Sequence, residues 1–358
     1  MTEQNSKTKN VWVDFRRILP ADNNLKWLLI ITVLVFITMS ALRPNLFFSF
    51  DNFSSMAFQF PEFGLLAMAM MLTMLTGGID LSVVGVANLS GILAALILTR
   101  VMPVEASATQ VVLYSMLAIG TSLVTGLVCG LTNGFLIATI GIPPILATLG
   151  TMEFFTGIAI VITRGAAVFG FPELITFMGN GSLWIFPIPL LLFTAAALIF
   201  AVVLNRTAYG NQLYLMGTNP TAARYSGLNN TRLLLRTYML SGLLAAVSGL
   251  VILARTNSAK ADYGSSYTLQ AILIAVLGGV NPAGGFGKVM GLVLAILTLQ
   301  FLSSGFSMLR FSNFVKEFIW GAVLLLVMVI NYVSNTRRQR REAQKQAAIS
   351  VSKPTGMI

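Results

Sequence analysis

The amino-acid sequence predicts an all-α integral membrane protein with about ten transmembrane helices, since one helical span needs roughly 20 apolar residues. Of its 358 residues, 56% are hydrophobic and only 10% are charged, whereas soluble proteins carry about 25% charged residues. The mean hydropathy is +0.82. The apolar residues fall in long runs, and so few ionisable side chains could not cover a water-facing surface.

Ten apolar runs follow one another along the chain, and each is interpreted as one helix. The eighth is short and ends at Gly278 and Gly279, so a broken or partly inserted helix is expected there. The loop at 164–185 has room for a short helix outside the membrane. The runs lie near 27–42, 56–76, 79–98, 111–134, 145–163, 186–204, 237–254, 268–280, 289–306 and 314–333.

The distribution of lysine and arginine orients these helices. Basic residues concentrate in the N-terminal flank (1–26), the loop at 205–236 and the C-terminal tail (334–358), which share one side of the membrane if there are ten spans. Because cytoplasmic segments carry the excess of Lys and Arg, both termini are expected in the cytoplasm, flanking a transmembrane domain at 27–333. The net charge of +11 is attributed to contact with anionic membrane lipid rather than nucleic acid.

The principal cytoplasmic loop contains a polar segment, 218–227, with helix signals at both ends. Thr218 or Asn219 can cap its N-terminus, Pro220 suits the first helical position, and Gly227 can end the helix. A short polar helix between two spans points to a binding partner. The alternative is a surface turn held by its own membrane domain.

Asp80 is the most informative charged residue, because ionisable groups at membrane depth are costly and mark functional candidates. Gly77 and Gly78 precede it and permit a break in the helix. Asp80 and Ser82 can then cap the helix that follows. A direct role of Asp80 in conduction, or in coupling to a partner, is the alternative.

Three glutamates, Glu62, Glu153 and Glu317, also fall within the apolar runs, and Glu317 has Lys316 beside it as a solvated partner. Glu153 lies about one turn into the fifth run, and no neighbour in the sequence neutralises it, so structural and functional roles both stay open. Glu62 is expected near the outer end of its span, where snorkelling or pairing can satisfy it.

Gly126, Gly130 and Gly134 lie four residues apart in the fourth run and therefore on one helix face. This small-xxx-small pattern allows membrane helices to approach closely. It predicts packing within one subunit, with a subunit interface as the alternative.

Several catalytic classes are excluded. The chain has no His, the usual acid–base group and metal ligand, and its single Cys, Cys129, cannot form an internal disulfide. The glycine-rich run 277–288 lacks the first Gly and the final Ser or Thr of a phosphate-binding loop. We therefore expect no catalytic residue, no metal and no cofactor on this chain, which would be a conduit driven by energy from elsewhere.

Several motifs occur in a characteristic order, and together they resemble the permeases of ribose-type ABC importers for simple sugars over roughly residues 40–333. They are Gly77-Gly78-Ile79-Asp80-Leu81-Ser82, Thr132-Asn133-Gly134, Ile142-Pro143-Pro144, Ala147-Thr148-Leu149-Gly150-Thr151-Met152, the run Gly217 to Gly227, and Leu277-Gly278-Gly279 with Gly284-Gly285-x-Gly287. Two departures concern polar positions, where Thr156 replaces a usual Arg and Thr268 and Gln270 replace usual acids.

The resemblance implies an importer with several subunits in the bacterial cytoplasmic (inner) membrane. The implied partners are an ATP-binding cassette ATPase that holds ATP and Mg, a second permease copy or paralogue, an extracytoplasmic sugar-binding protein and membrane lipid, but no nucleic acid. The segment at 218–227 would be the coupling helix that docks into the ATPase. Its implied contact residues are Thr218, Asn219, Ala222, Ala223, Arg224 and Gly227.

The candidates for the translocation path or for helix breaks are Gly77, Gly78, Asp80, Asn88, Asn133 and Glu153. The rival hypothesis is an ion-coupled secondary transporter in which Asp80 or Glu153 binds the proton or sodium ion.

Overall fold

The computed structural model describes residues 23–329 and 333, and the fold is all-α, as predicted. The predicted tail and most of the N-terminal flank lie outside the described residues. The helices are α1 Asn23–Leu42, α2 Pro44–Phe47, α3 Phe50–Leu75, α4 Val83–Leu96, α5 Ala108–Phe135, α6 Pro144–Thr163, α7 Glu173–Asn180, α8 Ile188–Arg206, α9 Ala208–Thr218, α10 Pro220–Tyr225, α11 Asn230–Thr256, α12 Tyr267–Leu277, α13 Val289–Met308 and α14 at 313–329.

Eight helices in the described part of the chain are long and apolar enough to cross a membrane, which makes this an integral membrane protein. They are α1, α3, α4, α5, α6, α8, α11 and α13. Helix α12 has only 11 residues, as expected for the short eighth run. Helices α4 and α5 each continue into a π-helical turn, Ile97–Val101 and Leu136–Ile140.

The loop at 164–185 does contain a short helix, α7, and it also contains extended segments that were not predicted. Strand β1 (Val168–Phe169) pairs antiparallel with β4 (Ser258–Ala259), which follows α11. Strands β2 (Ser182–Leu183) and β3 (Phe186–Pro187) form a hairpin. Each strand has two residues, so these pairs tie loops together and do not change the fold class.

Helix α3 is the centre of the bundle, and every residue from 60 to 75 is buried. Helices α4, α8, α11, α12 and α13 pack around it. Helix α11 has α3 on one side and α5 on the other. At this second contact a Cβ on Gly126 or Gly130 would overlap the backbone of α11, so the predicted packing of the glycine face within one subunit is confirmed.

Helices α1, α5, α6 and α8 form the periphery and expose large apolar side chains. On α5 these include Leu113, Met116, Val124 and Val128, which are between 56% and 66% exposed. Apolar side chains on the outside of a spanning helix are stable in lipid.

Candidate functional site

Helix α10 forms as its sequence predicts. The Asn219 side chain, not that of Thr218, caps it by accepting the Ala222 N–H at 2.9 Å, and Pro220 occupies the first turn. Gly227 follows the helix with φ +83°, a conformation that favours glycine. Bonds from Gly227 N to Arg224 O and from Leu228 N to Ala223 O complete this C-terminal cap.

The surface of α10 contains most of the residues expected there. Thr218, Asn219, Ala222, Arg224 and Gly227 are exposed. Ala223 is the exception, because it is 4% exposed and belongs to the buried core, so it holds α10 on the bundle rather than offering a contact surface. Tyr225 was not predicted, although it is 89% exposed on the same helix.

A contact between backbone segments, here called the glycine junction, joins α10 to the centre of the bundle. It consists of Leu75 at the end of α3, Gly217 near the end of α9, and Gly284 and Gly285 in the loop after α12. The Gly285 N–H donates to the Leu75 carbonyl at 3.0 Å. A Cβ on Gly217 would overlap the Leu75 carbonyl oxygen, so the segments touch through backbone atoms.

Side-chain hydrogen bonds reinforce the glycine junction. The Tyr214 hydroxyl of α9 donates to the Gly287 carbonyl at 2.8 Å. Burial raises the pKa of the Tyr214 phenol above its usual value, which keeps the donor protonated. Asn230 at the start of α11 donates to the Pro220 carbonyl at 2.8 Å. Helix α10 is therefore fixed to α3, α9 and α11 together.

A buried polar cluster, here called the Asp80 cluster, lies next to this end of α3. The Asp80 carboxylate is 2% exposed and accepts the Ser82 N–H at 3.1 Å, the Ser82 hydroxyl at 2.7 Å and the Ser241 hydroxyl at 2.9 Å. Asn133 donates to the Ser82 hydroxyl at 2.7 Å and accepts from Thr151 at 2.6 Å. The cluster thus connects the α3–α4 turn with α5, α6 and α11.

The break at Gly77 and Gly78 is confirmed, but the expected capping of α4 is not. Ser82 precedes α4 without any side-chain cap bond, because its hydroxyl is bonded to Asp80 and Asn133. Asp80 accepts the N–H of Ser82 rather than one from the first turn of α4. The carboxylate therefore holds the turn and its neighbours together and does not cap the helix.

Tyr238 of α11 extends this cluster and was not predicted. Its side chain is fully buried and its hydroxyl lies against Gly78, where a Cβ would overlap it. That hydroxyl has no hydrogen-bond partner among the described residues.

Two predicted path residues lie away from this cluster. Asn88 donates to the carbonyls of Ala261 (2.9 Å) and Tyr263 (2.8 Å), and so holds the loop that follows β4. Glu153 is exposed on α6, next to Phe154, which is 61% exposed. Glu153 therefore lies on the outer surface of this bundle rather than in its interior.

Glu62 differs from the expectation of a span end. Helix α3 begins at Phe50, so Glu62 lies in the middle of the helix and is 1% exposed. It pairs with Arg255 at the end of α11, and it accepts from the Tyr267 hydroxyl at 3.1 Å. The cost of burying this carboxylate is offset by a cation and a second donor.

The described residues offer no group of three or more His, Cys, Asp or Glu side chains that could hold a metal ion. The arrangement provides mechanical connections between helices and a set of buried polar groups. It presents an exposed short helix, a backbone junction from that helix to the central helix, and a buried cluster that connects three helices to one turn.

Comparison with known proteins agrees with this arrangement. Residues 52–328 match the family described as "Branched-chain amino acid transport system / permease component". The chain is 32% identical over 297 residues to the autoinducer 2 import system permease protein LsrD of Yersinia pestis (strain Pestoides F). The match covers 80% of this chain and 86% of that protein, and LsrD of Yersinia pseudotuberculosis serotype O:3 (strain YPIII) gives the same figures.

No solved structure matches the chain. The family match nevertheless covers α3 to α14 almost completely, including the Asp80 cluster, the glycine junction and α10. The chain therefore belongs to the family of branched-chain amino acid transport system permease components.

Proposed function

We propose that this chain is the permease subunit of an ATP-binding cassette importer that moves a simple sugar or sugar-like solute into the cell. The observation that supports the proposal is the structure of α10. It is a capped, exposed helix, and the glycine junction joins it to the central helix without intervening side chains. A helix of this kind can transmit the movement of a docked motor subunit to the transmembrane bundle.

The topology proposed for this function has ten spans, both termini in the cytoplasm and α10 on the cytoplasmic side. Helices α12 and α14 complete the count, since both are apolar and pack in the bundle although α12 is short. The excess of Lys and Arg in the flanks supports this orientation. The chain is then a multi-pass protein of the bacterial cytoplasmic (inner) membrane.

The proposed partners follow from this arrangement. A separate ATPase subunit binds ATP and Mg and docks on α10, where Arg224 and Tyr225 are the exposed side chains best suited to anchor it. A second permease copy or paralogue completes the membrane unit. An extracytoplasmic binding protein delivers the solute.

In this mechanism, closure of the ATPase pair pulls the two α10 helices together. The glycine junction passes this movement to the end of α3, and the bundle changes between two packings that open to opposite sides. The Asp80 cluster keeps the α3–α4 turn, α5, α6 and α11 together during the change.

The substrate class rests on the relatives, which are import permeases for autoinducer 2 at 32% identity. It also rests on the ordered glycine and Thr-Leu-Gly motifs, which resemble sugar permeases. Branched-chain amino acids are the second candidate, because the family description names them. The two classes differ in charge, so uptake measurements distinguish them.

The secondary-transporter hypothesis has less support. Asp80 is engaged by three hydroxyl or amide donors, and Glu153 lies on the outer surface of the bundle. A transporter driven by ions would also have no need of an exposed, capped helix fixed to its central span.

The test uses the importer purified from its own membranes through a tag on this chain, reconstituted in liposomes and supplied with its extracytoplasmic binding protein. We expect ATP-dependent accumulation of a neutral sugar from a panel of D-ribose, D-galactose and D-xylose, and none of L-leucine. The double substitution Arg224→Ala and Tyr225→Ala should reduce uptake about tenfold or more, as the loss of interface anchors does.

Arg100→Ala is the matched control, because Arg100 is also exposed but lies at the opposite end of the bundle. It should leave uptake unchanged. Accumulation driven by an ion gradient without ATP, or a complex that purifies without an ATPase subunit, would contradict the proposal.

A further inference from the structure

A second polar site lies at the end of the bundle opposite α10. It is an open cavity of about 270 Å³ lined mainly by α3, α12, α13 and α14, here called the outer cavity. Ligand pockets usually measure about 300–1,000 Å³, so this volume, just below that range, suits only a small molecule. In the proposed topology it opens toward the side from which the binding protein delivers solute.

The lining of the outer cavity combines amides, a hydroxyl and aromatic rings. Gln270 of α12 and Gln300 and Ser303 of α13 supply hydrogen-bond donors and acceptors. Tyr267 and Trp320 supply aromatic surface, and both rings are held by aromatic neighbours, with centroid distances of 6.1 Å to Phe63 and 6.0 Å to Phe306. Polar groups interleaved with ring faces suit a molecule that has both hydroxyls and C–H surface.

Gln300 is the strongest evidence that the outer cavity binds a molecule. It lines the cavity from the middle of a spanning helix and is 2% exposed, yet its amide nitrogen has no hydrogen-bond partner among the described residues. A buried amide without a partner costs stability, and lipid provides none. An apolar residue would be more stable there, so the amide is better explained by a bound molecule than by folding.

The charges around the outer cavity balance. Arg255 lines it, but its guanidinium is already paired with Glu62, and Lys316 and Glu317 add one charge of each sign. Because these four charges cancel, the lining has no excess of positive charge for a phosphorylated solute. The amides, the hydroxyl of Ser303 and the rings suit a neutral solute.

We propose that the outer cavity is a solute-binding station that recognises a neutral polyhydroxylated molecule through Gln270, Gln300 and Ser303, with Tyr267 and Trp320 against its C–H faces. This inference rests on the proposed function and assigns the residues that select the solute. Binding there is expected to be weak, since a station on a transport path has to release its ligand.

The test measures uptake of the transported sugar by the reconstituted importer carrying Gln300→Leu, and separately Ser303→Ala. Each variant should lower the ratio of maximal uptake to half-saturating concentration about fivefold, as the loss of one hydrogen bond does. Gln300→Leu should keep or raise the melting temperature, because it removes an unpartnered buried amide. A purely structural role of Gln300 predicts a lower melting temperature instead.

Gln110→Leu is the control, since Gln110 undergoes the same change on the exposed first turn of α5. It should leave uptake unchanged. Unaltered sugar uptake in both cavity variants would overturn this inference while leaving the importer function intact. An unsubstituted importer that accumulates no sugar would instead overturn the proposed function.

Discussion

Asp80 illustrates how a buried carboxylate can be held by hydroxyl and amide donors alone within the part of the chain that the structure describes. Its two oxygens receive three donors from Ser82 and Ser241, and Asn133 and Thr151 continue the chain of hydrogen bonds. Each donor comes from a residue that would be costly to leave unpaired in the membrane. The carboxylate is thus the acceptor that the surrounding hydroxyls and amides require.

Substitution Asp80→Asn tests this account. An amide has only one acceptor oxygen, so at least one of the donors around Asp80 loses its partner. We expect the loss of about 1–3 kcal/mol in the free energy of unfolding, seen as a melting temperature several degrees lower in detergent.

Asp262→Asn is the matched control, because the Asp262 side chain is 63% exposed and pairs with Lys260. That change should stay within about 0.5 kcal/mol. Abolished transport by Asp80→Asn with an unaltered melting temperature would speak for an ion-binding carboxylate instead.

Among the structural elements, the helix ends near α10 determine how that helix is attached to the bundle. Helices α3 and α12 are each followed by a pair of glycines, Gly77–Gly78 and Gly278–Gly279. The segments that follow the two helices meet at the glycine junction. Gly217 of α9 completes the contact from the side of α10. Because the segments of the junction touch through backbone atoms, no side chain can move to relieve an overlap. The geometry of the junction therefore depends on its glycines having no Cβ atom.

Gly217→Ala should therefore disturb coupling. The added methyl group overlaps the Leu75 carbonyl and forces α9 away from α3. We expect solute-stimulated ATP hydrolysis and uptake to fall about tenfold or more, because misplacement by about 1 Å is enough to impair a positioned site.

The control is Gly157→Ala on α6, where a Cβ meets no atom within 4 Å. It should be neutral or slightly stabilising, since Ala favours a helix over Gly by about 1 kcal/mol. Equal transport by the two alanine variants would show that the junction does not transmit the movement.

Local sequence predicts most of these elements, because the bilayer fixes helix length and glycine fixes several ends. Helix α6 was predicted at 145–163 and spans Pro144–Thr163. Helix α3 begins six residues before its predicted start, since Ser49 caps a polar first turn that hydropathy does not detect. The ends of α4 and α5 were also missed, because π-helical turns have no clear sequence signal.

The candidate site was predicted less completely, because residues that meet there lie far apart in the sequence. Asn219 and Gly227 act within one short helix and could be identified from spacing. The partner of Glu62 is Arg255, 193 residues away, and Gln300 faces its cavity only because four helices meet there. Tyr225 could have been found, since an aromatic residue on a short polar helix is a frequent interface anchor.

At the scale of the whole molecule, the proposed orientation can be tested by labelling. Val104 lies fully exposed in the loop between α4 and α5, and Tyr225 lies on α10. In a Cys129→Ala background, a membrane-impermeant thiol reagent should modify the Val104→Cys variant in intact cells. The Tyr225→Cys variant should react only after lysis.

The background substitution is mild, because Cys129 is buried and replaced by a small apolar residue. The reverse labelling pattern would place α10 outside the cell and contradict the importer topology.

The glycine junction has a consequence for how such a protein can change over time. Since it consists of backbone atoms, it places no demand on the side chains of the distant outer cavity. Residues such as Gln270 and Ser303 can therefore be exchanged to suit a different nutrient while the connection to the motor subunit stays as it is. The same backbone contact can in this way couple an ATPase to permeases that transport different solutes.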